Sequence, residues 1–385
     1  MHRHSNQIAP LHLSVPDEQL GDLRGRLVRV RWPEEEIDPS HGPSLSQMRE
    51  LARYWRDEYD WRVAESLLNS FGQSVTTIDG LKVHFLHMRS GEPDALPLLL
   101  NHGWPSSVLA FRHVVGPLTD PAAYGGDPRQ AFHVVIPSLP GFGFSGKPTE
   151  AGWGFARIAQ AWATLMSRLG YQRWVAQGGD VGAGVVELMA AQSVDGLVAV
   201  HMNSAMFEPT REETENATAT EQAMLERSTD FQQNRSGYFL MQAQSPQTIG
   251  YSLADSPIGL AAWIYAVVAD SVGTRGDVAA SLTVDELLDE VMMYWLPNTA
   301  TSAARFYREM VTGPPAPATP DTPIRMSAAF SMFAHEPHRR SRRWIERRWS
   351  NVVHIGELSV GGHFAALEQP DLFTQEMRAS FAGLR

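Results

Sequence analysis

The chain contains no cysteine. Disulfides, thiol nucleophiles and thiolate metal sites are excluded at once. It also lacks a cationic excess. Lys and Arg together number 32 against 43 Asp and Glu, for a net charge of −11. That balance argues against nucleic acid or an anionic membrane as the main partner. No apolar run approaches the ~20 residues of a membrane-spanning helix. The stretch at 253–268 has the right composition but is interrupted by Asp255, Ser256 and Pro257. The opening MHRHSNQIAP has no apolar h-region, so no secretory signal is expected. A soluble, cytoplasmic protein is the reading that follows. No internal repeat is visible.

What is present is an ordinary globular composition, 43% hydrophobic and 19% charged over 385 residues. That length holds one large α/β domain with an insertion, or two domains. Residues 1–90 are polar, aromatic-rich and weakly periodic, with a helical-looking LARYWRDEYDWRVAESLLNSF at 51–71. LKVHFLHMR (81–89) alternates as a half-buried edge strand would. PLLLNHGW (97–104) and FHVVIPSLPGFG (132–143) are short apolar runs ending in Gly/Pro turns, as buried parallel strands do. Helical spacing over 155–169, a strand at 173–179, a helix at 182–193 and a strand at 196–204 continue the alternation. The pattern predicts an α/β fold with a mostly parallel central sheet and helices on both faces.

From 206 the pattern turns helical and ends in the Pro-rich TGPPAPATPDTP (312–323), which reads as a linker. A strand at 324–333, a basic helix HRRSRRWIERRW (338–349), a strand at 351–358 and an amphipathic helix close the chain. The expected organisation is an N-terminal extension (1–90), a first core segment (91–205), a helical lid (206–322) and a second core segment (323–385).

The stretch QGGDVGAG (177–184) sits where a strand turns into a helix. Gly-x-Ser-x-Gly at such a turn exposes a serine nucleophile; here Asp180 holds the serine's place. Two readings stay open on local grounds. Asp180 is a helix N-cap, for which aspartate is favoured, or it is a nucleophile toward saturated carbon. In the second case the Val181 N–H at the helix start, and the Trp104 N–H in HGWPSS (102–107), would serve as oxyanion donors. His363, in the late Gly-flanked loop GGHF, suits the base of a nucleophile-acid-histidine order. Glu336 follows the preceding strand and suits the orienting acid, with Glu208 as a weaker rival. Taken singly, each of these residues also has a structural explanation.

Together the motifs resemble an epoxide hydrolase of the α/β-hydrolase superfamily, in the branch with an extended N-terminal region that includes the microsomal type. The matching stretches are RWP (31–33), YWRDEYDWR (54–62), IDGLKVHFLHMRS (78–90), NHGWPSS (101–107), PSLPGFGFS (137–145), QGGDVG (177–182), SPQTIGYSLADSPIGLAAWI (245–264), RFYRE (305–309) and GGHFAALEQP (361–370). They run in order along nearly the whole chain. The resemblance implies the α/β-hydrolase fold with an inserted lid. It implies Asp180 as nucleophile, His363 as base, Glu336 as acid, and Tyr238 and Tyr307 as lid tyrosines that activate the epoxide oxygen. It implies no metal and no cofactor. Two positions depart from the family pattern: Val181 stands where a Trp is usual, and Ser106 where HGWPGS has Gly. Neither removes a catalytic group, and both are expected to reshape the pocket wall.

The Met, Trp and Phe content of the lid points to a bulky apolar or aromatic epoxide, with Trp104 also lining the substrate. The resemblance includes bacterial enzymes of detoxification and of antibiotic biosynthesis, enediynes among them, and the sequence leaves that choice open. A homodimer is the expected assembly. The rival reactions are haloalkane or haloacid dehalogenation on the same Asp/His/acid machinery, which would not need two lid tyrosines, and a non-catalytic binding protein, which would not need the full set.

Overall fold

The computed structural model describes residues 7–274, 276–313 and 323–384. The strands are β1 (Ala9–Pro10), β2 (Gln73–Ile78), β3 (Leu81–Met88), β4 (Leu96–Asn101), β5 (Phe132–Pro137), β6 (Trp174–Gly178), β7 (Leu197–Met202), β8 (Ser327–Met332) and β9 (Val352–Glu357). They form one sheet in the order β1-β2-β3-β5-β4-β6-β7-β8-β9. Pairing is antiparallel from β1 to β5 and parallel from β5 to β9. The local cause of the first hairpin is Asp79-Gly80, both at positive φ (49° and 77°), the residue pair that two-residue hairpin turns favour. The central strands are apolar on both faces because helices cover both.

Segment 81–89 is not the edge strand its alternation predicts. β3 lies inside the sheet, between β2 and β5. One of its polar positions is buried with partners: His84 is fully buried, with Nδ1 2.8 Å from Ser138 Oγ and Nε2 3.0 Å from Gln73 Oε1. Burial pushes this imidazole down to about 3, so it is neutral and polar without needing water. Alternation here reflects satisfied side-chain hydrogen bonds, which a sequence pattern reads as exposure.

Three helices precede β2: α1 (Asp17–Val28), α2 (Leu45–Asp57) and α3 (Trp61–Ser70). The helical stretch at 51–71 is therefore two helices. Asp60 starts the second by accepting from the Arg62 N–H at 3.0 Å, and a side chain that caps one helix ends the previous one. Further on come α4 (Val115–Thr119), α5 (Phe155–Arg168) and α6 (Val181–Gln192). Between β7 and β8 lie α7 (Arg211–Glu215), α8 (Ala219–Asn234), α9 (Gly237–Gln244), α10 (Pro246–Asp255), α11 (Pro257–Ser271), α12 (Val284–Trp295) and α13 (Ala300–Thr312). The Pro-rich run read as a linker falls, over 314–322, outside the described residues. Among the described residues no single helix is long and apolar enough to cross a membrane, and the apolar pair α10 and α11 is bent by 120°.

The basic run at 338–349 is helical only over Arg342–Arg348 (α14), after Ser341 accepts from the Trp344 N–H. Its arginines are structural ties rather than a solvated face. Arg343 meets Glu221 at 2.8 Å, Arg347 meets Glu213 at 2.7 Å and Arg340 meets Glu208 at 3.1 Å. Each partner belongs to the helical insertion or its approach, so the run clamps the insertion to the sheet. A second tie joins three segments: Asp289 of α12 accepts from Tyr59 at 2.5 Å and from Arg112 at 2.6 Å. Two short helices, α15 (Ala365–Glu368) and α16 (Pro370–Ser380), complete the chain.

Candidate active site

β6 ends at Gly178, and α6 begins at Val181. The chain turns between them at Asp180, with φ 51° and ψ −129°. A non-glycine residue in this region stores roughly 1–3 kcal/mol of strain. The surroundings hold it there: the Asp180 N–H donates to Ser204 Oγ at 2.9 Å. Close packing demands small neighbours, since a Cβ on Gly182 would lie 2.3 Å from the Asn101 carbonyl oxygen. Asp180 stands at the N-cap position of α6, but its side chain makes no capping hydrogen bond there.

The HGW loop after β4 runs directly against the carboxylate. A Cβ on Gly103 would sit 2.1 Å from Asp180 Oδ1, and the Trp104 N–H donates to that oxygen at 2.8 Å. The loop is pinned from both sides. His102 Nε2 accepts from the Leu139 N–H at 3.2 Å, so its Nδ1–H donates to the Gly103 carbonyl at 3.0 Å. Burial pushes His102 down to about 4, consistent with this neutral form. From α12, the Tyr294 hydroxyl donates to the Ser106 carbonyl at 2.8 Å.

His363 lies after β9 and just before α15. Its backbone N–H donates to the Ser271 carbonyl at the end of α11, at 3.0 Å. Its Nε2 is 3.3 Å from Asp180 Oδ2 and its Nδ1 is 2.8 Å from Glu336 Oε2. Glu336, on the loop after β8, is fully buried, and its other oxygen accepts from the His338 N–H at 3.0 Å. The structure thus brings Asp180, His363 and Glu336 into one hydrogen-bonded line. It leaves Glu208 out: that carboxylate is 68% exposed and pairs with Arg340.

Electrostatics follow from this line. Burial alone would push His363 down, but the Glu336 and Asp180 carboxylates raise it well above the usual imidazole range. Burial alone would push Asp180 up; the His363 hydrogen bond and charge, with the Val181 and Trp104 N–H groups, hold it below its ordinary value. Glu336 is lowered in the same way, His363 outweighing burial. One cation is shared by two buried anions.

The insertion supplies the opposite wall. Tyr238 on α9 stacks on the Trp104 ring at 5.0 Å and 19° between planes. Tyr307 on α13 meets Trp104 edge-on at 5.9 Å and Tyr238 at 6.1 Å. Burial raises the tyrosine hydroxyls' pKa first, with the Asp180 charge adding to it. Val181 is buried beside the carboxylate. Ser204, His102 and Tyr294 also shape this site, and sequence reasoning did not single them out. Ser204 carried a signal, because it follows the strand adjacent to β6 by two residues. Tyr294 carried none, since only the packing of α12 brings it to the loop. Among the described residues no group of three His, Asp or Glu side chains could hold a metal ion.

Comparison with known proteins agrees along the whole chain. The family model for the epoxide hydrolase N terminus matches residues 8–111, and that for the alpha/beta hydrolase fold matches residues 97–253. A Stigmatella aurantiaca (strain DW4/3-1) protein named "Putative epoxide hydrolase" is 47% identical, over 98% of this chain and 86% of its own. Epoxide hydrolase 1 of Sus scrofa is 31% identical, over 98% of this chain and 89% of its own. The solved structure of Aspergillus niger epoxide hydrolase superposes with a TM-score of 0.88 at 31% identity, covering 99% of this chain and 98% of that one. With the fold, the elbow and these relatives in agreement, the chain belongs to the epoxide hydrolase family, enzymes built on the alpha/beta-hydrolase fold.

Proposed function

We propose that the protein converts an apolar or aromatic epoxide to a vicinal diol through an alkyl-enzyme ester on Asp180. The observation that carries this reading is the Asp180 carboxylate itself. One oxygen accepts from the Trp104 N–H, and the other faces His363. Oδ2 attacks the epoxide carbon, and the ring C–O bond breaks. A carboxylate needs no base for this step, because it is already ionised. Tyr238 or Tyr307 donates a proton to the ring oxygen. Burial keeps both phenols protonated and therefore ready to donate.

Esterification removes the Asp180 charge, one of the two that hold the proton on His363. The imidazole then gives up that proton, which restores the tyrosine, and becomes the base for the second step. Glu336 keeps the ring oriented and stabilises the imidazolium that forms again. Water attacks Asp180 Cγ, and the oxyanion at Oδ1 is met by the Trp104 and Val181 N–H groups. This sequence uses neither metal nor cofactor. The two phenols stacked about Trp104 favour an epoxide over a halide-leaving substrate. The aromatic wall they make with Trp104 and Phe239 suits an aromatic or bulky apolar group.

The decisive test is a single turnover of styrene oxide with excess enzyme in oxygen-18 water. The expected result is label in Asp180 and unlabelled oxygen in the first diol. Label in the diol and none in Asp180 would mean direct attack by water. A second test concerns the phenols: Tyr238→Phe with Tyr307→Phe should lower alkylation about 10³-fold. Full turnover in the double variant removes both tyrosines from the mechanism.

A further inference from the structure

We infer that Gln177, oriented by Asn203, positions the water that hydrolyses the ester on Asp180; the inference rests on the mechanism proposed above. A cavity of about 40 Å³ lies against Asp180 and His363, with Gln177 and Asn203 on its wall and apolar rings such as Phe111 and Phe373 around the rest. A single water needs roughly 10–15 Å³ of such space and two to four polar partners. The cavity is large enough; besides Asp180, His363, Gln177 and Asn203 its polar lining is Asn101, His102 and Ser106, and Asn101 Oδ1 is a second acceptor without a partner among the described residues.

The chemistry selects the partner. A water that attacks the ester carbonyl donates one hydrogen to His363 Nε2. Its lone pair must point at Asp180 Cγ, so its second hydrogen needs an acceptor. A donor in that place would compete for the lone pair. Gln177 Oε1 is such an acceptor: it is buried and has no hydrogen-bond partner among the described residues. The amide is fixed with this end free, because Gln177 Nε2 donates to Asn203 Oδ1 at 2.8 Å. Both side chains are nearly inaccessible, at 1% and 4%. They project from the same sheet face, since Gln177 pairs with His201 on β7, two residues before Asn203. Asn203 reaches the elbow as well: a Cβ on Gly179 would lie 2.7 Å from its Oδ1.

The step balances. The water oxygen bonds to Cγ while one proton passes to His363 Nε2, and the carbonyl electron pair moves to Oδ1. On collapse the Cγ–Oδ2 bond breaks, and Oδ2 leaves with the diol and receives that proton from His363. The water's second proton, left on the new Asp180 carboxyl, then passes to His363, which restores the carboxylate and the imidazolium. Gln177 is unchanged throughout. It is a positioning residue for one half-reaction only.

That restriction supplies the test. Gln177→Leu removes the acceptor at similar volume. Quenched-flow with intact-protein mass spectrometry, using styrene oxide, reads the alkylation rate and the alkyl-enzyme fraction separately. We expect alkylation unchanged, ester hydrolysis about tenfold slower, as for one lost hydrogen bond, and kcat and KM falling together as the ester accumulates. Asn203→Leu frees the amide and should act in the same direction less strongly; it also serves if Gln177→Leu does not fold. His363→Gln is the control and should trap the ester. If His363→Gln traps ester while neither leucine variant accumulates any, or if they slow both steps equally, the inference is overturned and the mechanism stands. If His363→Gln traps none, the mechanism itself fails.

Discussion

Two buried charge clusters in this molecule look alike and behave differently. At the junction of the N-terminal extension, the core and the insertion, Asp289 meets Arg112 and Tyr59. In the active site, Asp180 and Glu336 meet His363. Burial overrides Arg112, leaving Asp289 above its ordinary carboxyl range, whereas His363 overrides burial at Asp180 and holds it below. The junction pairs one carboxylate with a permanent cation and uses both carboxylate oxygens. The site has two carboxylates around a cation that can release its proton, and Asp180 sits on strained backbone. A cluster with fixed charge holds segments together. A cluster with a surplus anion and a titratable cation can change state during a reaction.

Substitutions should separate the two. Asp180→Asn removes the attacking oxygen, and epoxide turnover should fall by at least about 10⁴-fold. Residual turnover near the wild-type rate would show that the strained carboxylate is not the nucleophile. Asp289→Ala leaves Arg112 as an uncompensated buried charge, so stability should fall by about 3–5 kcal/mol. Turnover per folded molecule should persist, read by chemical denaturation alongside an active-site titration. If Asp289→Ala abolished turnover in folded protein while stability held, the distinction between holding and reacting clusters would collapse.

The same distinction explains what was legible in the sequence. The proximity of Asp180, Glu336 and His363 could be anticipated because each follows a strand, and adjacent parallel strands deliver their C-terminal ends to one edge of the sheet. The elbow's small residues were legible for the same reason. The interior place of β3 was not, because His84 hides inside a side-chain network that alternation mistakes for solvent. The break at Asp60 was hidden because the apolar spacing of LARYW (51–55) resumes in WRVAESLL (61–68) across it, so the two helices read as one. The basic helix of 338–349 showed no tie to the insertion in the sequence because the partners Glu208, Glu213 and Glu221 lie more than 100 residues away. Long-range ion pairs leave no local trace. The junction around Asp289 escaped notice for that reason too.

One residue along from Asp289, Glu290 is another buried carboxyl, and among the described residues no cation forms an ion pair with it. Neither of its oxygens has a hydrogen-bond partner among the described residues. Burial raises it to about 8, and the nearby Ser107 dipoles and the Arg112 charge offset this only in part. It therefore stays protonated in the folded protein at neutral pH, while in the unfolded chain it ionises above its ordinary value of 4.5. Between those two values the folded state holds a proton that the unfolded state has lost, so raising the pH favours unfolding. The slope is about 1.4 kcal/mol per pH unit across that window, and the full contribution is present only below 4.5. Glu290→Gln keeps the shape and removes the titration. Its melting temperature should gain on the wild type steadily from pH 5 to pH 8, with the difference levelling above that. Parallel melting curves across the range would mean that Glu290 is ionised in the fold, and that burial without an ion pair does not suffice to keep a carboxyl neutral here.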